Sequence, residues 1–270
     1  MRPGQRWPKN EMHNVTVISF QALNSTKNRN SEVNDLASAW DFFDKVYCIS
    51  LAARSDRRER ARKQFADSRL LERVEFVLVD KHQANPEQGI FASHQLCLKR
   101  GLAAGAQRIL VFEDDVFFRN IDFPALGDAC AELARIGNWD GLFLGCLTSG
   151  SCKTGTKSLV RIKYRCLAHA YALNKSFAER IVREKWRAIP YDTLLRKLGA
   201  DFFAVYPMCA FQGLAATDNR TVKIDRLRRL CGGLPFIQRM NEWYQNHKVQ
   251  VVAIHLLALL GLVALAWALW

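Results

Sequence analysis

From Asp44 onward, short apolar runs alternate with longer amphipathic stretches, and this alternation restricts the folds open to the chain. "KVYCISL" reads as a strand, "DRRERARKQFADSRLL" as a strongly basic helix, and "VEFVLVD" as a second strand ending on Asp80. "GIFASHQLCLKRGLAAG" is predicted to be a helix, with Phe91, His94, Leu98 and Leu102 near one face, and "RILVFEDD" follows as a third strand. The helix "FPALGDACAELARIG" leads to "WDGLFLG", a fourth strand. Strands and helices at this spacing predict right-handed βαβ units, and so an α/β chain with a mainly parallel sheet and helices on both faces. Ligands of such sheets bind beyond the carboxyl ends of the strands, which is where Arg54, Asp80 and the acids Glu113 to Asp115 lie.

The second half is less regular. Leu147 to Ser158 is rich in Gly, Ser, Thr and Lys and reads as a flexible loop near the site. "LVRIKYR" and "AHAYALN" read as strands, "KSFAERIVREKW" as a helix, "IPYDTLLRKLG" as a helix starting after Pro190, and "DFFAVYPMCAFQ" as a closing strand. The predicted organisation is a flexible leader over 1–43, an α/β domain over 44–218, a basic linker over 219–248 and an apolar segment over 249–270.

That last segment, Val249 to Trp270, is interrupted by only Gln250 and His255 and has the length that spans a hydrocarbon core. It reads as a single-pass transmembrane anchor; the alternative is a buried core helix, which at this length would normally show a polar face. Arg226, Arg228, Arg229, Arg239 and Lys248 precede it, so the positive-inside rule places the globular part on the cytoplasmic side. A net charge of +13 points to an anionic partner, which could be a nucleic acid, a phosphorylated ligand or a membrane surface. No nucleic-acid motif is present and the basic residues lack interleaved aromatics, so no nucleic-acid partner is expected. Eight cysteines without a Cys-x-x-Cys pair, several inside apolar runs, read as reduced core thiols.

In "RILVFEDDVFFRN" a core strand ends in three carboxylates, Glu113, Asp114 and Asp115, and apolar residues then resume. Two carboxylates about 4 Å apart repel by roughly 4 kcal/mol at an effective dielectric near 20. The cluster therefore needs protonation, a cationic partner or a bound metal. An acid-x-acid pair, Glu113 and Asp115, suits a divalent cation held between carboxylates and a diphosphate; the plainer reading is a solvated cap for the next helix. Arg54 and Arg57, close after the first strand, are placed to pair with a phosphate or to hold the carboxylate cluster. His94 alone would read as a packed core histidine.

"VYCISLAARSDRRERARKQF", "GIFASH", "ILVFEDDV", "WDGLFLG", "HAYALNKSFAERI", "PYDTLL" and "YPMCAFQ" resemble, in that order, the successive blocks of glycosyltransferase family 25 over about Lys45 to Asp218. The resemblance implies a GT-A-like, Rossmann-type fold and inverting transfer of a sugar, typically from UDP-galactose, with Mn²⁺ or Mg²⁺. It also implies a saccharide or glycolipid acceptor such as lipooligosaccharide. Under it, Glu113 and Asp115 take the metal, with Asp114 beside them, and Leu51, Arg54, Arg57 and Asp80 face the nucleotide. His94 becomes a site residue through the Ser-His block, and Asp192 is the acceptor-side carboxylate, with Asp140 the weaker choice. Where the family expects Gly-Cys before Ser-His, this chain has Ile90-Phe91. The glycolipid branch of the family implies a bacterial inner membrane. A rival from another class is a membrane-tethered scaffold of the same fold that has lost catalysis.

Overall fold

The computed structural model describes residues 39–213 and 232–268; the predicted leader lies almost wholly outside them, as does 219–231 of the predicted linker. The described chain runs β1 (Lys45–Leu51), α1 (Ser55–Asp67), β2 (Val74–Val79), α2 (Pro86–Ala103), β3 (Arg108–Glu113), β4 (Val116–Phe118), α3 (Phe123–Ile136), β5 (Gly141–Phe143), β6 (Leu147–Lys153), β7 (Leu159–Cys166), β8 (Ala170–Asn174), α4 (Lys175–Arg183), α5 (Tyr191–Leu198), β9 (Phe202–Val205), β10 (Ala210–Gln212), α6 (Gly233–Asn246) and α7 (Lys248–Ala268).

Helix starts follow local chemistry. Asn85 caps α2 by accepting from the Glu87 and Gln88 amides at 3.0 and 3.4 Å, with Pro86 in the first turn. Asp122 caps α3 through Ala125 N–H at 3.0 Å, and Asn174 caps α4 through Phe177 N–H at 2.8 Å. At its other end α3 stops at Gly137, whose φ of 73° is open to glycine without the clash a Cβ would bring.

Eight strands form one sheet in the order β2-β1-β3-β8-β5-β9-β7-β6. Its centre is buried on both faces. Leu110 and Phe112 of β3 join Phe65, Leu126 and Leu133 in a cluster under α1 and α3. Ile109 and Val111 of the same strand join Leu98, Phe177 and Leu194 under α2, α4 and α5. Helices thus cover both faces, as the alternation predicts.

Six of the eight strands share one direction, while β7 and β8 run against them. The reversal arises where the chain has no helix between strands. β6 and β7 form a hairpin, and the chain then runs on through three residues into β8, which enters the sheet between β3 and β5. Leu167, in that link, sits at φ 77°, in the left-handed region that costs a non-glycine residue about 1 kcal/mol or more.

Two segments expected to be irregular are ordered. Most of the loop predicted over Leu147 to Ser158 is the edge strand β6, held in antiparallel register with β7 from Leu147↔Cys166 to Lys153↔Val160 despite its Gly and Ser content. Part of the predicted linker is α6, docked across β6 and β10. The closing strand is two strands, β9 and β10, separated by Tyr206-Pro207, and β10 leaves the main sheet to pair with β4. All described cysteines are free, five of them fully buried. Taken over its described residues, no single helix is long and apolar enough to cross a membrane. The pair Gly233–Asn246 and Lys248–Ala264 passes that test together, bent by 78°.

Candidate active site

β1, β2 and β3 are neighbours and parallel, so their carboxyl ends meet at one edge of the sheet. A cavity of about 460 Å³ opens there, and Leu51, Arg57, Asp80, His94, Asp192 and all three acids of the Glu113 to Asp115 run are among its walls. Residues from positions 51 to 192 are therefore gathered by strand order together with the packing of α1, α2 and α5 on the sheet.

Arg57, in the first turn of α1, answers part of the charge problem posed by the acids. Its Nη2 lies 2.7 Å from Asp114 Oδ1 and 2.9 Å from Asp115 Oδ2, with all three side chains nearly buried. Of the two roles open to Arg57 in the sequence, holding the carboxylate cluster is the one its geometry shows. The compensation is partial. Asp114 Oδ2 and Asp115 Oδ1 are buried with no hydrogen-bond partner. Burial raises the Asp114 and Asp115 carboxyls above their ordinary range, with Arg57 opposing the rise. Glu113 is pushed up further, first by burial and then by Asp115 and Asp192.

The acid run is fixed from both sides. Asp114 N–H donates to Ile49 O of β1 at 3.1 Å, and Glu113 N–H donates to His169 O at 2.9 Å. Pairing of β4 with β10 brings Gln212 Nε2 to 3.1 Å from Asp115 Oδ2 and Gly213 N–H to 2.7 Å from Asp115 O.

His94 sits on the buried face of α2. Its Nε2 is 3.3 Å from Glu113 Oε1, and its Nδ1 is 3.0 Å from the Tyr171 hydroxyl, which lies 2.8 Å from that of Tyr191. The imidazole stacks on Tyr191 with centroids 4.2 Å apart. Burial holds His94 down at about 4, so it is neutral and carries one ring N–H along this chain.

Asp192, in the first turn of α5, also faces the cavity. Its Oδ1 accepts from the Tyr164 hydroxyl and its Oδ2 from Leu167 N–H at 3.1 Å, which ties it to the strained link between β7 and β8. His169, at the end of that link, is buried and lowered to about 4 by desolvation.

Two candidates lie elsewhere. Arg54 chelates Asp56, Nε to Oδ1 at 2.9 Å and Nη2 to Oδ2 at 3.0 Å, and does not line the cavity. Asp140 precedes β5 at the opposite end of the sheet, where its Oδ2 accepts from the Ala200 and Asp201 amides at 2.7 and 3.1 Å. Pattern reasoning missed Tyr164, Tyr171, Tyr191, Gln212 and Leu167 to His169. Their common signal is weak: polar or aromatic residues inside otherwise apolar runs, whose partners lie far off in sequence.

The acidic oxygens suit a hard cation by chemistry, and the two unpartnered ones give it somewhere to bind. Among the described residues, however, no group of three or more His, Cys, Asp or Glu side chains is arranged to hold a metal.

No family model matches the chain. A glycosyltransferase 25 family member of Anopheles gambiae is 26% identical over 237 residues, covering 72% of this chain and 39% of its own length. The inactive glycosyltransferase 25 family member 3 of Homo sapiens is 29% identical over 186 residues, covering 57% of this chain and 31% of its own. These relatives support glycosyltransferase family 25, and the chain spans under two fifths of their length. Among solved structures, A197 from STIV is 13% identical with a TM-score of 0.42, covering 62% of this chain and 85% of that one.

Proposed function

We propose that the chain is a nucleotide-sugar-dependent glycosyltransferase with a GT-A-like catalytic fold, transferring a hexose to a saccharide or glycolipid acceptor with inversion. The observation that carries this reading is the convergence of Glu113, Asp114 and Asp115 with the ends of β1 and β2 in one cavity, where two buried carboxylate oxygens lack a partner. Relatedness to family 25 supports the same reading.

In this mechanism the donor's nucleoside lies against Leu51 and Asp80 and its diphosphate beside the acid run, where Arg57 supplies positive charge. Glu113 and Asp115, with Asp114 beside them, would hold Mn²⁺ or Mg²⁺. Such a cation would stabilise the negative charge that grows on the departing diphosphate. Asp192 takes the proton of the acceptor hydroxyl as that oxygen attacks the anomeric carbon. Tyr164 and Leu167 N–H fix the carboxylate in orientation, and neutral His94, clamped between Tyr171 and Tyr191, orients Glu113. UDP-galactose is the donor to test first. Release of UDP from a panel of nucleotide sugars, with and without Mn²⁺, decides the activity.

Membrane attachment through Val249 to Trp270 belongs to the same reading, with the globular part on the cytoplasmic side of a bacterial inner membrane. It is supported by the outward exposure of Val249, Leu257, Leu260 and Leu262 on α7, apolar residues that nothing else in the described fold covers.

A second reading has one specific observation in its favour: Arg57 bridges Asp114 and Asp115 and so supplies part of the positive charge that a cation would bring. Under it the chain is an inactive, membrane-tethered scaffold that binds nucleotide sugar and does not turn it over. Donor-induced stabilisation without UDP release would establish that alternative.

A further inference from the structure

Helix α6 is amphipathic in the inverted sense. Its polar side chains point inward. Gln238 Nε2 donates to Ala210 O at 2.8 Å, Asn241 exchanges hydrogen bonds with the Thr148 backbone at 2.9 and 3.0 Å, and Ser151 Oγ donates to Asn246 Oδ1 at 2.9 Å. Glu242 is buried too, accepting from Met208 N–H. On the opposite side Phe236, Met240, Trp243 and Tyr244 are 54%, 45%, 49% and 39% exposed. The spacing 236, 240, 243 and 244 makes one stripe. A surface helix of a water-soluble domain turns its apolar stripe to the core and its polar stripe to solvent; in α6 the two are exchanged.

What covers this stripe follows from its continuity with α7, where Val249, Ile254, Leu257, Leu260 and Leu262 are exposed apolar residues and Gln250 and His255 are the polar interruptions. The axes of the two helices differ by 78°, so if α7 stands along a bilayer normal, α6 lies about 12° from the bilayer plane (90° − 78°). Trp and Tyr are the side chains favoured at the headgroup level, and Lys248 at the corner is exposed. The start of α6 also touches the cavity, since Leu234 is part of its wall.

We propose that α6 is an interfacial helix: its Phe236, Met240, Trp243 and Tyr244 face lies in the headgroup region and seats the cavity mouth at the bilayer surface, matching it to acceptors carried on lipid. This rests on the membrane attachment proposed above and adds to it a second contact, with a fixed orientation.

The test uses the full chain in vesicles of phosphatidylcholine and phosphatidylglycerol whose acyl chains are brominated close to the headgroup. Trp7→Phe, Trp267→Phe and Trp270→Phe are present throughout, so that Trp243 is the exposed tryptophan that remains, Trp40 and Trp139 being buried and Trp186 half-buried. Headgroup-proximal bromine should quench tryptophan emission, and adding Trp243→Phe should remove most of that quenching. Co-sedimentation with vesicles is read on the same samples. Co-sedimentation with quenching that Trp243→Phe leaves unchanged would overturn the interfacial role while keeping the anchor. Failure to co-sediment would overturn both.

Discussion

The guanidinium of Arg57 is shared between Asp114 and Asp115, one nitrogen lying 2.7 Å from the first carboxylate and 2.9 Å from the second. One positive charge therefore serves two buried negative ones, and Glu113, next in the run, is left to burial and its neighbours. Either a bound cation or protonation of the acids, whose carboxyls burial already raises, would relieve this imbalance.

Removing Arg57 should expose the imbalance. Arg57→Gln leaves two buried carboxylates uncompensated and should lower metal-free stability by about 3 kcal/mol, the usual cost of breaking a buried pair from one side. Thermal melting in EDTA checks it, and a loss below about 1 kcal/mol would show that the acids are protonated in the folded state.

Asp115→Asn keeps shape and removes charge. Mn²⁺ at a hundredfold excess over its dissociation constant should stabilise the wild-type chain by about 2.7 kcal/mol and leave the variant unmoved. Equal stabilisation of both proteins would place the cation elsewhere.

For Asp192 the outcome is kinetic. Asp192→Asn should lower turnover by roughly 10² to 10⁴ while donor affinity stays near wild type. Near-normal turnover with a lowered melting temperature would reduce Asp192 to a support for Tyr164 and Leu167.

Glu242 gives a pH dependence away from the cavity. Burial raises its carboxyl above the ordinary value of 4.5, with Met208 N–H and Arg239 opposing. The folded state then binds the proton more tightly than the unfolded one, so its contribution is full below pH 4.5 and is lost as pH rises through the raised value. Glu242→Gln has no such loss. Its melting temperature minus that of the wild type should grow between pH 4.5 and neutrality; a constant difference would contradict this.

Gly145, two residues after β5, tests the close approach of that segment to β10. A Cβ there would meet Ala210 O at 1.8 Å and Gln238 Nε2 at 2.7 Å. Gly145→Ala should therefore cost about 3 kcal/mol or more, read from the denaturation midpoint, and should loosen α6 as well.

Local pattern determined much of this protein. The period of the apolar runs places β1, β2, β3 and the helices between them, because each must bury a face with its own geometry. That pattern also puts Glu113 to Asp115 at the carboxyl end of a core strand, and it makes α7 apolar but for Lys248, Gln250 and His255. Which groups then meet was settled by the tertiary structure. Arg57 reaches the acids because β1 lies beside β3, and His94 reaches Glu113 because α2 packs across that strand. Asp140 and Asp192 look alike as carboxylates near element starts, yet they lie at opposite ends of the sheet, since strand direction is a property of the assembled sheet. The reversal of β7 and β8 and the inward turn of the polar face of α6 have the same origin. Partners such as Thr148 and Asn241 stand 93 residues apart, and a short window of sequence carries no record of contacts made at that distance.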